Sequence, residues 1–214
     1  MNGVKTIVLV LPGGKVRSDS SSRPWHLSSV RMRPFTRVLS ALAESATTAG
    51  EADIHVVQVR YRKRGWNGNG AEAIADARGA MQRAIELNDS EIDTNVIVVG
   101  HSMGGRVAAH LASDPRVSGV IALAPWWPDE EGNLFRAGQR LAVLHGTEDR
   151  WTDPVLSRAE VLRASRNGVE AHWEPMEDAG HFMLSKTGQW HNWVVESAER
   201  MIAASHTDNP SDNT

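Results

Sequence analysis

The sequence predicts an α/β protein: a doubly wound, mainly parallel sheet of six strands, sandwiched between two helical layers. Three observations predict it. Apolar, β-branched runs recur as unbroken stretches rather than alternating with polar residues, as strands buried on both faces require. Helix-patterned segments separate these runs one by one, which implies parallel strands joined by right-handed crossovers. The chain has 214 residues, enough for one sizeable core, and shows no internal repeat or linker. One domain is therefore expected over residues 1–204, followed by a disordered tail at 205–214.

The elements follow in order. Residues 4–11 are a strand, closed by Pro12-Gly13-Gly14. Residues 34–48 read as a helix, with Phe35, Val38, Leu39 and Leu42 on one face. A second strand spans 54–61, a second helix 71–87 and a third strand 95–100. The helix at 103–113 is stopped by Asp114-Pro115. Strands are expected at 117–124 and 140–145. A helix at 153–166 closes at Asn167-Gly168, with Asp153 before Pro154 as its N-cap. A strand at 169–175 and a helix at 186–204 complete the chain. Residues 205–214 are polar and aperiodic.

Composition removes several function classes. The net charge of −3 gives no electrostatic case for nucleic acid or an anionic membrane. The absence of cysteine excludes disulfides, thiolate metal sites and a cysteine nucleophile. No run approaches the roughly 20 apolar residues of a membrane span. The apolar start is too short and too soon broken by Pro12 for a secretory signal, so a cytoplasmic protein is the simplest expectation. H-E-x-x-H is absent, and Asp129-Glu130-Glu131 lies in a Pro/Gly-containing stretch that reads as solvated surface, so no metal site is expected.

The most informative stretch is Gly100-His101-Ser102-Met103-Gly104, a G-x-S-x-G pattern between the apolar third strand and a helix-competent segment. A serine on such a turn is held in a strained conformation, with its hydroxyl lifted clear of the sheet edge. The flanking glycines avoid collisions with neighbouring chain. The plain alternative is a glycine-rich turn with a capping serine.

Serine is a poor nucleophile unless a base is within reach and a third group orients that base. The loop after the fifth strand, His145-Gly146-Thr147-Glu148-Asp149-Arg150-Trp151-Thr152-Asp153-Pro154, offers Asp149 as the acid, with Asp153 and Glu148 as competitors. The loop after the sixth strand, Ala179-Gly180-His181-Phe182, offers His181 as the base. His145 closes a strand and is expected to shape the acid loop. Both loops fall at the carboxyl edge of the predicted sheet, where sites of open α/β sheets lie. An oxyanion hole needs two backbone N–H groups. Met103, which follows the serine, supplies one. The loop after the first strand supplies the other, assigned to Gly14, with Gly13 and Lys15 as alternatives.

These motifs, in the order Ser, acid, His, resemble the α/β-hydrolase family in its small serine-esterase form without a full cap. The similarity covers residues 4 to about 204. His145 to Pro154 is similar to the family's H-G-x-x-D-x-x-x-P segment, while Pro12 stands where many relatives have histidine. The resemblance implies hydrolysis of an ester or related acyl bond through an acyl-enzyme, without cofactor, on a small-molecule substrate. Thioesterase, cofactor-free perhydrolase or carbon–carbon bond hydrolase activity would use the same triad, and a non-catalytic ligand receptor could share the fold. Oligomeric state is not legible.

Eight tryptophans stand against one tyrosine and three phenylalanines. Trp25, Trp66, Trp126, Trp127 and Trp151 fall in loops at the predicted site edge, which suggests an aromatic, apolar pocket. Their alternative role is to plug loops onto the core. The loop at 15–30 could close over the site, and Arg60-Tyr61-Arg62-Lys63-Arg64 reads as a solvated basic loop.

Overall fold

The computed structural model describes residues 5–87 and 94–207. Six strands form one parallel sheet in the order β2-β1-β3-β4-β5-β6. They are β1 (Lys5–Leu11), β2 (Asp53–Gln58), β3 (Thr94–His101), β4 (Val117–Leu123), β5 (Arg140–Gly146) and β6 (Glu170–Met176). The helices are α1 (Leu27–Ala49), α2 (Ala71–Leu87), α3 (Met103–Leu111), α4 (Pro154–Arg166) and α5 (Thr187–Thr207). The chain lays β2 on one side of β1 and all later strands on the other. The order therefore reverses between β1 and β3, the switch point at which a crevice opens beyond the strand ends. Leu11 pairs in register with Gly100, so the loops after β1 and β3 leave the sheet side by side.

Alternate residues of the central strands feed two cores. Ile7, Leu9, Val96, Val98 and Val120 pack under α2, α3 and α4. Val8, Val10, Ile97, Val99 and Ile121 pack under α1 and α5. This burial on both faces explains the unbroken apolar runs. The edge strands β2 and β6 are more open.

Several boundaries differ from expectation. Helix α1 begins seven residues earlier, at Leu27, and runs through Pro34. The proline forgoes one backbone bond, yet buried Met32 and Phe35 on either side hold the helix against the core. The second strand ends at Gln58 instead of residue 61, although Val59 and Tyr61 remain buried. The final helix continues to Thr207, so the expected tail begins helical; residues 208–214 lie outside the described residues, as do the first four. Glu131 is not solvated surface: it is 1% exposed, opens a short 3₁₀ turn (Glu131–Leu134) and pairs with Arg106 Nε at 2.6 Å. Among the described residues no helix is long and apolar enough to cross a membrane.

Candidate active site

Ser102 sits between β3 and α3 with φ 55° and ψ −118°, a conformation that a side chain other than glycine's adopts only under strain. The turn is held by the Ser102 N–H, which donates to the Leu123 carbonyl at 3.0 Å, and by the Gly105 N–H, which donates back to the Ser102 carbonyl at 3.0 Å. Two glycines make it possible through close approach. A Cβ on Gly100 would lie 2.3 Å from the Gly104 carbonyl oxygen, and one on Gly104 would lie 2.3 Å from that of Leu11.

The sheet brings the three candidate side chains together. His181 Nε2 lies 3.0 Å from Ser102 Oγ, and His181 Nδ1 lies 2.8 Å from Asp149 Oδ2. The Asp149 side chain is buried, and its carboxylate is densely held. Oδ1 accepts from the backbone N–H groups of Trp151 (2.7 Å) and Thr152 (2.9 Å). Oδ2 accepts from the Thr152 hydroxyl at 2.7 Å and lies 3.2 Å from His145 Nε2. Burial alone would raise this carboxyl. The hydrogen bonds from His145, His181 and the Thr152 backbone outweigh it and hold Asp149 far below the usual carboxylate range. Asp153 caps α4 instead, accepting from the N–H groups of Val155 and Leu156.

His101, beside the nucleophile, is buried and turned away from it. Its Nε2–H donates to the His181 carbonyl at 2.9 Å and ties the His181 loop to β3. Burial, reinforced by nearby His181, pushes its imidazole down to about 3. The His181 ring is lined by aromatic rings. Trp151 stacks on His181 with centroids 6.5 Å apart, Phe182 lies 5.3 Å away, and the Arg31 guanidinium sits 4.6 Å over Phe182.

The oxyanion candidates separate. Met103 opens α3, where first-turn N–H groups lack helical partners. The Lys15 N–H is committed to the Arg64 carbonyl at 2.8 Å and drops out as a donor. Gly14 packs against Met103, and Gly13 lies against His101 and Ser102. The loop at 15–22 is laced to 62–67 by further backbone bonds, including Ser22 N–H to Arg62 O and Arg64 N–H to Ser20 O. In the basic run Arg60 and Arg62 are exposed as expected, with Arg62 paired to Asp76 and Lys63 to Asp19 and Glu72, while Tyr61 is buried.

The five loop tryptophans do not form one wall. Trp127 is buried, packs on Phe135 and donates its indole N–H to the Gly105 carbonyl at 3.1 Å. Trp66 is also buried, edge-on to Trp126, and Arg106 lies over both rings. These two are core plugs, a correction to the pocket reading, because an indole needs a large dry surface that only the core supplies. Trp25 and Trp151 are exposed, and only Trp151 stacks on the base. Sequence reasoning missed Thr152 and Phe182, and it placed His145 without its partners. The four-residue spacing from His145 to Asp149 across a tight loop was the available signal.

The fold and this serine-centred site define an α/β hydrolase. Residues 7–212 match the model of the Alpha/beta hydrolase family, and the chain belongs to that family. Solved structures with the same fold include an acetyl ester-xyloside bifunctional hydrolase from Caldicellulosiruptor lactoaceticus. It is 13% identical over 94% of this chain and 85% of that one, with a TM-score of 0.68. The esterase Est2 from Thermogutta terrifontis is 20% identical over 95% and 84%, with a TM-score of 0.63. An alpha-beta serine hydrolase homologue from Coxiella burnetii is 21% identical over 91% and 86%, with a TM-score of 0.60. No curated protein matches the sequence.

Proposed function

We propose that this chain is a serine hydrolase that cleaves a carboxylic ester of a small, mostly apolar substrate through an acyl-enzyme. One observation carries the reading: an unbroken hydrogen-bonded line from Ser102 Oγ through His181 to Asp149. His181 takes the Ser102 proton as the oxygen attacks the acyl carbonyl, and returns it to the departing alcohol. Asp149 orients the ring and balances the imidazolium. The N–H groups of Met103 and Gly14 face the developing oxyanion. A water activated by His181 then releases the acid. Fold relatives described as esterases, including Est2 with propionate or butyrate bound, favour an ester over other acyl bonds.

The test is covalent labelling by a fluorophosphonate together with turnover of p-nitrophenyl acetate. Wild type is expected to label and turn over, and Ser102→Ala to lose labelling and at least about a thousandfold in kcat. An unlabelled wild type, or an active Ser102→Ala variant, sinks the proposal.

A further inference from the structure

The acid of the site is itself held by a second buried histidine, and that histidine is held in turn. His145 is fully buried at the end of β5. Its Nε2 lies 3.2 Å from Asp149 Oδ2, and its Nδ1 lies 2.8 Å from Ser157 Oγ on α4. Ser157 Oγ receives the Trp173 indole N–H from β6 at 3.0 Å.

Proton counting fixes the direction of this chain. A carboxylate only accepts, so His145 Nε2 carries a hydrogen. The neutral ring then presents a bare Nδ1, which needs a donor. The Ser157 hydroxyl hydrogen is shared between Nδ1 at 2.8 Å and the Pro154 carbonyl at 3.0 Å, and its oxygen receives the Trp173 indole N–H. The Thr152 hydroxyl, 3.2 Å from His145 Nε2, spends its own hydrogen on Asp149 Oδ2. The Asp149 carboxylate thus sets the tautomer from the front, and Ser157 and Trp173 support the ring from behind.

We propose that His145 is a positioning residue that fixes the Asp149 carboxylate and spreads its charge, and so sets how tightly Asp149 holds the His181 imidazolium. This rests on the serine hydrolase reading above. Asp149 Oδ2 is the atom that binds His181 Nδ1, and His145 donates to that same atom. Removing the donor leaves the charge more concentrated, which strengthens the hold on the imidazolium. His101 from β3 lies within electrostatic reach of both Asp149 and His181, and Arg31 from α1 lies within reach of His101.

The experiment combines kinetics with nitrogen-15 NMR of histidine-labelled intact protein. In wild type the His145 ring is expected to be protonated at Nε2 and bare at Nδ1. His145→Leu is expected to lower kcat about tenfold with KM within about twofold, and to move the acid limb of kcat up by about half a pH unit. His145→Gln keeps a donor near the Nε2 position and is expected to recover kcat to within about threefold and return the limb toward wild type. A purely structural role would lower thermal stability in both variants without moving the limb. If the leucine variant does not fold, Ser157→Ala decides: the carboxylate still holds the Nε2 hydrogen, and the His145 signals should remain those of an Nε2–H ring.

An Nδ1-protonated His145 in wild type, or a folded His145→Leu with unchanged kcat and limb, overturns the proposal. So does a glutamine variant no better than leucine, or an Nδ1-protonated ring in Ser157→Ala. A wild type that neither labels nor turns over ester overturns the hydrolase reading, and the catalytic role of His145 with it. An active wild type with any of the other failures overturns this proposal alone.

Discussion

The loop at Ser102 and the loop at Asp149 meet at His181 but are held by opposite means. The turn at Ser102 is a matter of contact: Gly100 and Gly104 let backbone approach backbone where a single methyl would not fit. The turn at Asp149 is a matter of polar partners: two backbone N–H groups, one hydroxyl and two imidazoles converge on one carboxylate. Steric placement fails abruptly, because packed backbone has nowhere to move. Hydrogen-bonded placement fails by degrees, because each donor carries a share of the load.

The largest expected effect breaks the contact-built side. Gly104→Ala forces a Cβ onto the Leu11 carbonyl and should cost about 3 kcal/mol of stability, read by urea denaturation. Gly188→Ala, which meets nothing within 4 Å, is the control and should change stability by less than about 1 kcal/mol. Equal losses in the two variants would remove the steric argument.

A smaller effect sits where the two loops join. The folded protein keeps His101 neutral down to about pH 3, whereas the unfolded chain protonates it from about pH 6.5 downward. The unfolded state therefore binds the extra proton in that window, and stability falls as pH drops through it. His101→Gln keeps a donor for the His181 carbonyl without the titration. Between pH 6.5 and 4 it should lose on the order of 2 kcal/mol less stability than wild type, seen as a flatter thermal-melt profile. Parallel profiles would show that His101 does not titrate as described.

The smallest effect tests the rim of the acid loop. Trp151 is 73% exposed, so Trp151→Ala should change stability by less than about 0.5 kcal/mol. Because its ring stacks on His181, kcat/KM for an aryl ester should fall about fivefold. A change in stability without a change in kcat/KM would make Trp151 a plug like Trp127.

Much of this was legible in the chain itself. The strand-to-helix turn at Ser102, the order Ser102, Asp149, His181 and the capping role of Asp153 are local patterns, and the structure reproduces their geometry. Helix α2 falls at its expected bounds because its apolar period is uninterrupted. Helix α1 was misread at Pro34 because local propensity says stop, whereas burial of Met32 and Phe35 in the core says continue. The tryptophans were misassigned for a related reason: a loop position does not reveal whether an indole turns into the core or out to solvent.

The sequence by itself determined the sheet class, the strand-to-helix turn at Ser102 and the choice of Asp149 and His181 as candidate acid and base. Those features are written in periodicity and short motifs, which act over a few residues. Only the tertiary structure decided that Trp66 and Trp127 are buried, that the Lys15 N–H is spent on Arg64, and that His145, Ser157 and Trp173 stand in line behind Asp149. These are meetings between distant strands and loops, and their partners are set by how the sheet packs against its helices.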